Sequence, residues 1–398
     1  MKICIISNLY PPIFRGGAER IVERIVNELV VRGHDVFVIS TKPWSGLASL
    51  HAHETEKPAE RVYRFYPLNL YHLLNDSKHI WPVRFLWHVF DAINLHSALE
   101  VKRILEQEKP DIVFTHNLKG IGLLIPLAIR RVGIKHAHTL HDVQLVIPSG
   151  LLFFTKKHTS PFTRAGHFVY EQVCRILFGS PDIVISPSKF LLDFYLKKRF
   201  FKKSKTSIYP NPAPHAVPLV RTSRQDGPLR LLFAGQLETH KGPGFLAKSL
   251  RSLQHPYELH IAGEGSLLDE VLNIASENDN IKVHGFVSTD QLMNLFHDMD
   301  ALVVPSLCFE NSPTVIYESL WAGVPVVASD IGGVGELVHD GTNGYLFTPA
   351  DERSLLSALD RLFENKERFY ASQSEIQKTV VDYSIERYVD KLIAVAFV

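Results

Sequence analysis

Lys2-Ile-Cys-Ile-Ile-Ser7, then Gly16-Gly17, then Ile21, Val22, Ile25, Val26, Leu29 and Val30, then Asp35-Val-Phe-Val-Ile-Ser40: this opening stretch decides the fold. The two outer segments are short, continuous apolar runs, as a parallel strand buried on both faces requires. Between them the apolar positions recur at helical spacing, with Glu19, Arg20, Glu23, Arg24 and Glu28 on the opposite side and Gly33 closing the turn. Strand, helix and strand in close succession make a βαβ unit, whose crossover is right-handed in nearly all cases.

Working outward, similar strand-like runs recur at residues 111–116, 136–140, 182–186 and 206–209. The proline-rich stretch Asn211-Pro-Ala-Pro-His-Ala-Val-Pro218 then suits a linker. Beyond it the alternation restarts, with strands expected at 229–234, 258–262, 282–284, 301–305 and 325–329 and a helix from about Gly244 to Leu253. The chain therefore reads as α/β, with an N-terminal domain over 1–215 and a C-terminal domain over 216–383. An amphipathic helix at about 384–398 is expected to pack back on the first domain. Two open parallel sheets joined by one linker imply a cleft at the carboxyl ends of their strands.

The 398 residues are 45% hydrophobic and 21% charged with a net charge of +1, which excludes a disordered, collagen-like or strongly nucleic-acid-binding chain. The near-neutral sum conceals two opposite halves. Residues 1–215 carry 29 Lys+Arg against 17 Asp+Glu, and residues 216–398 carry 14 against 25. Cys4, Cys174 and Cys308 are too few and too scattered for a disulfide framework or a zinc site, which points to a reducing compartment. The apolar run at 3–10 stops at Pro11-Pro12, short of a signal-peptide core, and the run at 121–129 is broken by Gly122 and Pro126. A cytoplasmic protein, not integral to a membrane, is the expectation.

Chemistry concentrates in Glu310-Asn-Ser-Pro-Thr-Val-Ile-Tyr-Glu318, which follows the run at 301–305. Pro313 suits a helix's first turn, placing Glu310 before the helix and Glu318 on it. The amides from Ser312 to Val315, apart from the one Pro313 lacks, would then form a backbone anion site. The plain alternative is that Glu310 caps the helix and Glu318 is solvated.

Taken in order with Gly16-Gly17, Pro110-Asp-Ile-Val-Phe-Thr-His116, Pro210-Asn211, Gly235-Gln-Leu-Glu-Thr-His-Lys241-Gly242, Ala262-Gly-Glu-Gly265, Gly285-Phe-Val287 and Gly332-Gly333 with Glu336, that stretch resembles the retaining glycosyltransferases of family 4. The likeness runs over nearly the whole chain. It implies the GT-B fold, two Rossmann-like parallel-sheet domains facing across a cleft. It further implies a nucleotide-diphosphate sugar as co-substrate, with no cofactor and no obligatory metal.

Residue by residue, the resemblance implies that Lys241 binds the donor diphosphate as a point charge, with Gly16 and Gly17 approaching it from the other domain. Gln236 stands where the family has an arginine and offers hydrogen bonds without charge. Glu318 would accept from the ribose hydroxyls, and Glu310 would hold the transferred sugar beside its anomeric carbon. Ser312, Thr314 and Val315 belong to the donor-binding turn, and the backbone near Phe286 and Val287 would contact the base. His116 resembles the family's active-site histidine, and His141 and Asp142 are candidates for acceptor or sugar contact.

Three features are set aside. His136, His138 and His141 are not read as a metal site, because strand alternation separates the first two from the third. Asp298-Met-Asp300 has the spacing of a metal-binding Asp-x-Asp, yet it ends a helix just before a strand. Gly263-Glu-Gly265 lacks the third glycine of a dinucleotide loop, which argues against a nicotinamide dehydrogenase.

The expected activity is transfer of a sugar from a nucleotide-sugar donor to a glycan or lipid-linked acceptor with retention, in cell-surface polysaccharide or glycolipid biosynthesis. A polyprenyl-linked glycan precursor is the favoured acceptor class. A nucleotide-sugar 2-epimerase and a non-catalytic nucleotide-sugar-binding protein are the alternatives. Residues 151–205 hold 11 Lys+Arg against three acids, including Lys197-Lys-Arg-Phe-Phe-Lys-Lys203, and Trp81, Phe85, Trp87 and Phe90 lie upstream. Basic residues interleaved with aromatics suit peripheral contact with an anionic membrane, the plain alternative being a solvated loop face.

Overall fold

The computed structural model describes residues 1–57, 60–154, 161–213, 221 and 227–397. Two compact units emerge. The first comprises Met1–Leu151, His158–Pro210 and Ile385–Val398, the second Leu152–Lys157 and Asn211–Ser384.

Unit 1 is built on β1 (Lys2–Ile6), β2 (Asp35–Thr41), β3 (His53–Lys57), β4 (Glu60–Phe65), β5 (Ile112–Thr115), β6 (Lys135–Thr139), β7 (Ile183–Ser186) and β8 (Lys205–Ile208). The helices interleaved with them are α1 (Gly17–Val31), α2 (Trp81–Ala92), α3 (Leu95–Glu108), α4 (Ile125–Val132), α5 (Pro161–Phe178) and α6 (Lys189–Lys197). The strands align as β3-β4-β2-β1-β5-β6-β7-β8. Every pairing is parallel except the edge pair β3–β4, a departure from the all-parallel expectation.

Ile3, Cys4, Ile5 and Ile6 of β1 are buried from both faces, which is what a central parallel strand demands of its sequence. Helix α1 buries Ile21, Val22, Ile25, Val26 and Leu29 against that sheet. It ends where Gly33 and His34 donate back to the carbonyls of Val30 and Leu29, satisfying carbonyls the helix leaves open.

Unit 2 contains β9 (Leu229–Ala234), α7 (Pro243–Ser249), β10 (Tyr257–Ala262), α8 (Leu268–Ser276), β11 (Ile281–Gly285), α9 (Thr289–Asp298) and β12 (Ala301–Val304). It continues through α10 (Thr314–Trp321), β13 (Val326–Ser329), β14 (Gly344–Phe347), α11 (Glu352–Glu364), α12 (Lys366–Ala371) and α13 (Gln373–Lys378). Its six-stranded sheet runs β11-β10-β9-β12-β13-β14, all parallel. The last helix, α14 (Ile385–Ala396), belongs to unit 1. It buries Tyr388, Val389 and Leu392 there, and Arg32 of α1 reaches Asp390 at 2.5 Å.

In each sheet the strand order reverses beside the first strand, between β1 and β5 in unit 1 and between β9 and β12 in unit 2. At such a reversal the connections leave in opposite directions and open a crevice at the carboxyl ends of the two strands. The candidate residues of each unit lie at its own reversal. No helix among the described residues is long and apolar enough to cross a membrane.

Candidate functional site

Lys241 leaves the β9 side of the unit 2 reversal and Glu310 leaves the β12 side. Their side chains meet, with Lys241 Nζ donating to Glu310 Oε1 at 2.7 Å and Ser306 Oγ donating to the same oxygen at 2.7 Å. Glu310 is buried, so it does not serve as a solvated helix cap. Burial alone would raise its pKa, but the Lys241 ammonium and the two hydrogen bonds outweigh that and hold the carboxyl below its ordinary value. Burial would likewise lower the pKa of Lys241, and Glu310 overrides it, so the ammonium is held charged. The pair is thus a fixed cation beside a fixed carboxylate.

Two glycines make this approach feasible. Gly242 has φ +76°, and a Cβ there would lie 2.1 Å from the carbonyl oxygen of Pro305. Gly332 has φ +66°, and its Cβ would lie 2.1 Å from the Glu310 carbonyl oxygen. Only a residue without a side chain lets these backbones touch. Leu307 N donates to His240 O at 2.8 Å and Gly333 N to Glu310 O at 2.8 Å, tying the loops together. Residues 152–154 run alongside 307–309, through Phe309 N to Leu152 O at 2.7 Å and Phe154 N to Leu307 O at 3.1 Å.

Pro313 is the N-cap of α10 and provides no side-chain cap, leaving the first-turn amides of Thr314 and Val315 available to an anion. Ser312 shapes this turn instead of presenting its hydroxyl, which meets Tyr317 OH at 2.6 Å while its carbonyl accepts from Asn211 Nδ2 at 3.0 Å. Glu318 is buried on α10, contrary to the solvated alternative. Gln236 follows β9 half-buried, Phe286 is exposed at the end of β11, and Val287 packs on the unit's core.

In unit 1, His116 follows β5 and is buried. Its Nδ1 lies 2.9 Å from Nε2 of His141, and its buried Nε2 has no hydrogen-bond partner. Burial first, then the neighbouring His141, pushes His116 well below the ordinary histidine pKa, and burial lowers His141 to about 4. Both rings are therefore neutral at neutral pH. His141, expected as a sugar or acceptor contact, lies against His116 and lines the same cavity. Asp142 accepts from Gln144 N at 2.8 Å, and burial raises its carboxyl to about 7.

His136 and His138 share Thr115 Oγ1, at 2.7 and 2.9 Å. Among the described residues no group of three or more His, Cys, Asp or Glu is arranged to hold a metal. Asp300 is structural, accepting from Arg230 N at 2.7 Å and Tyr370 OH at 2.9 Å.

Gly16 N donates to Glu19 Oε2 at 2.9 Å, and Glu19 is buried. The helical pattern had put Glu19 on the solvent side of α1; instead it turns back over the helix's N-terminus, so any phosphate approaching Gly16 and Gly17 meets a resident carboxylate. Trp87 is likewise a core residue, packed with Leu9, Tyr71 and Leu73, and not part of an aromatic surface.

Sequence reading missed Ser306, Lys119 and Asp91. Ser306 is four residues before Glu310 at a strand exit, a position that could have flagged it. Lys119 Nζ donates to Pro148 O at 3.1 Å, and Asp91 accepts from Gly120 N with both oxygens; both residues line the cavity holding His116 and His141. Nothing in the residues around Asp91 signals that proximity.

Comparison with known proteins follows the same division. A family model described as Glycosyltransferase Family 4 matches residues 15–216, and one described as Glycosyl transferases group 1 matches residues 220–379. An uncharacterized 42.6 kDa protein in the cps region of Klebsiella pneumoniae is 28% identical over 342 residues, covering 85% of this chain and 87% of that protein. The UDP-Gal:alpha-D-GlcNAc-diphosphoundecaprenol alpha-1,3-galactosyltransferase of Escherichia coli is 24% identical over 317 residues, covering 75% and 78%. Among solved structures, sucrose-phosphate synthase from Thermosynechococcus elongatus superposes with a TM-score of 0.76 at 17% identity, covering 99% and 98%, which establishes the shared GT-B fold.

Proposed function

The chain belongs to glycosyltransferase family 4, and on that premise we propose that it moves a sugar from a nucleotide-diphosphate donor to a glycan or lipid-linked acceptor with retention of anomeric configuration. Cell-surface polysaccharide or glycolipid assembly is the setting this reading favours. The K. pneumoniae relative comes from a cps region, and the E. coli relative's name specifies a UDP-linked sugar and a diphosphoundecaprenol acceptor.

The observation that carries the reading is the Lys241–Glu310 pair beside the open amides of α10. Lys241 and the amides of Thr314 and Val315 take the donor's diphosphate, as fixed groups aimed at charge that grows while the glycosidic bond breaks. Glu310, kept ionised, accepts from hydroxyls of the transferred sugar, and Glu318 accepts from the ribose. The neutral His116 offers Nε2 to a sugar hydroxyl, with His141 fixing the ring. Catalysis on this reading needs no obligatory metal, because the cation and the amides supply the stabilisation themselves. Attack from the face the diphosphate leaves gives retention.

A thermal-shift panel of nucleoside diphosphates and their sugars tests donor binding, since a ligand selective for the native state raises the melting temperature. Product anomeric configuration, read by proton NMR, tests retention. No stabilisation by any nucleoside diphosphate would sink the reading.

A further inference from the structure

Unit 1 turns an apolar face outward. Helix α2 sends Trp87 and Ala92 into the core, yet Phe85, Leu86, Val89 and Phe90 on its other side are exposed, and Ile93 beyond its end is too. An apolar helix face of this extent is ordinarily covered by a core or by lipid and not left facing water. The same surface is extended by Leu95 and Leu99 on α3 and by Phe168, Val169 and Ile176 on α5, of which Phe168 is 62% and Ile176 74% exposed. His88 packs edge-on against Tyr170 at 6.3 Å between ring centroids, which sets α2 and α5 side by side.

On α2 and α5 the exposed charges have one sign, and the exposed acid of α3, Glu106, is paired with Lys102 at 3.4 Å. The one acid of α2, Asp91, is buried on the Gly120 amide, and the one acid of α5, Glu171, is buried against Lys198 at 2.8 Å. Arg175 of α5 donates to the Lys198 carbonyl at 3.2 Å, so the basic run at 197–203 flanks α5. Lys197, Arg199, Lys202 and Lys203 of that run are exposed, as are Lys78 and Arg164. A second copy docked on this face would bring the same cations against themselves. An anionic lipid surface instead neutralises the cations while burying the apolar side chains.

We propose that the exposed face of α2 and α5 is a membrane-docking surface, inserting Leu86, Phe90 and Phe168 into an anionic bilayer with the 197–203 run on its headgroups. The proposal deepens the lipid-linked acceptor reading and rests on it for its purpose. Its test uses neither donor nor acceptor, so the two can fail separately.

The full chain is cosedimented with vesicles containing phosphatidylglycerol and with vesicles of phosphatidylcholine alone. Wild type pellets with the anionic vesicles, and added salt weakens that binding. The triple variant Leu86→Gln, Phe90→Ser, Phe168→Ser binds roughly tenfold more weakly or worse, because each apolar side chain withdrawn from lipid removes burial. Lys197→Gln with Arg199→Gln weakens binding and flattens its salt dependence. Unchanged melting temperatures establish that both variants fold, since every altered residue is at the surface. Wild type remaining in the supernatant at low salt overturns the proposal, as does a triple variant that pellets like wild type. A wild-type dimer in analytical ultracentrifugation that the triple variant turns into monomer also overturns it, by assigning the face to a second copy.

Discussion

Lys241 Nζ lies 2.7 Å from Glu310 Oε1 across 69 residues of sequence, and a second donor to the same oxygen, Ser306 Oγ, comes from the strand exit just before Glu310. One buried carboxylate thus ties Lys241 to the distant 306–310 stretch, and its removal has consequences of two kinds.

Lys241→Met or Glu310→Gln alone leaves the partner's charge without its counter-ion and should cost about 1–3 kcal/mol of stability. Combined, the two substitutions should recover much of that loss, because residues in contact couple. Turnover should stay at least about a hundredfold down in all three variants, as expected when a preorganised electrostatic group is lost. Urea unfolding and initial-rate assays on the same preparations separate the two effects.

Gly332→Ala and Gly242→Ala should each lower stability by about 1–3 kcal/mol and reduce turnover together with donor binding, because a Cβ at either position meets backbone and φ stays positive. An alanine at Gly33 has open space around its Cβ and should leave turnover unaffected. Thermal melts and kinetics on the three variants provide the comparison.

Much of the fold was legible in the opening residues, because β1, α1 and β2 have clean periodicities with nothing competing against them. The edge strand β3, His53-Glu-Thr-Glu-Lys57, was missed since it has no apolar alternation and is held by its pairing with β4. Strand β14 was missed because its four residues follow a turn too closely to show a period. Of the site, Lys241 and Glu310 were recognisable from their motifs, but that they bond each other is a fact of tertiary structure. Glu19 misled for a related reason: a helical wheel assigns a face and cannot show a first-turn side chain folding back over its own N-terminus.

Buried histidines should make the protein acid-sensitive. Burial lowers His72, His88 and His141 to about 4 and His136 to about 3, and holds His116 and His138 well below the ordinary value. Between those values and about 6.5, the unfolded chain binds protons that the folded chain does not, so stability falls as pH falls through that window. Asp91 and Asp142, raised to about 7, act the other way, binding protons in the folded state that the unfolded state has released. Six histidines against two carboxyls leave a net loss on acidification. Melting temperature should therefore drop from pH 7 to pH 5, and a flat or rising profile contradicts the assignment.

His141→Phe should lower kcat by about tenfold with little change in donor KM, by releasing the His116 ring from its 2.9 Å partner. His141→Gln, which can still reach Nδ1, should restore part of the rate. Equal losses in both variants would make His141 a packing residue.

Calorimetric titration with the nucleoside diphosphate that stabilises the protein most tests the central claim most directly. If the β9–β12 pair is the donor site, Lys241→Met weakens binding about tenfold or more, while Glu310→Gln binds the diphosphate nearly as wild type does yet fails to transfer the sugar. Wild-type affinity in Lys241→Met would place the diphosphate elsewhere and contradict the account.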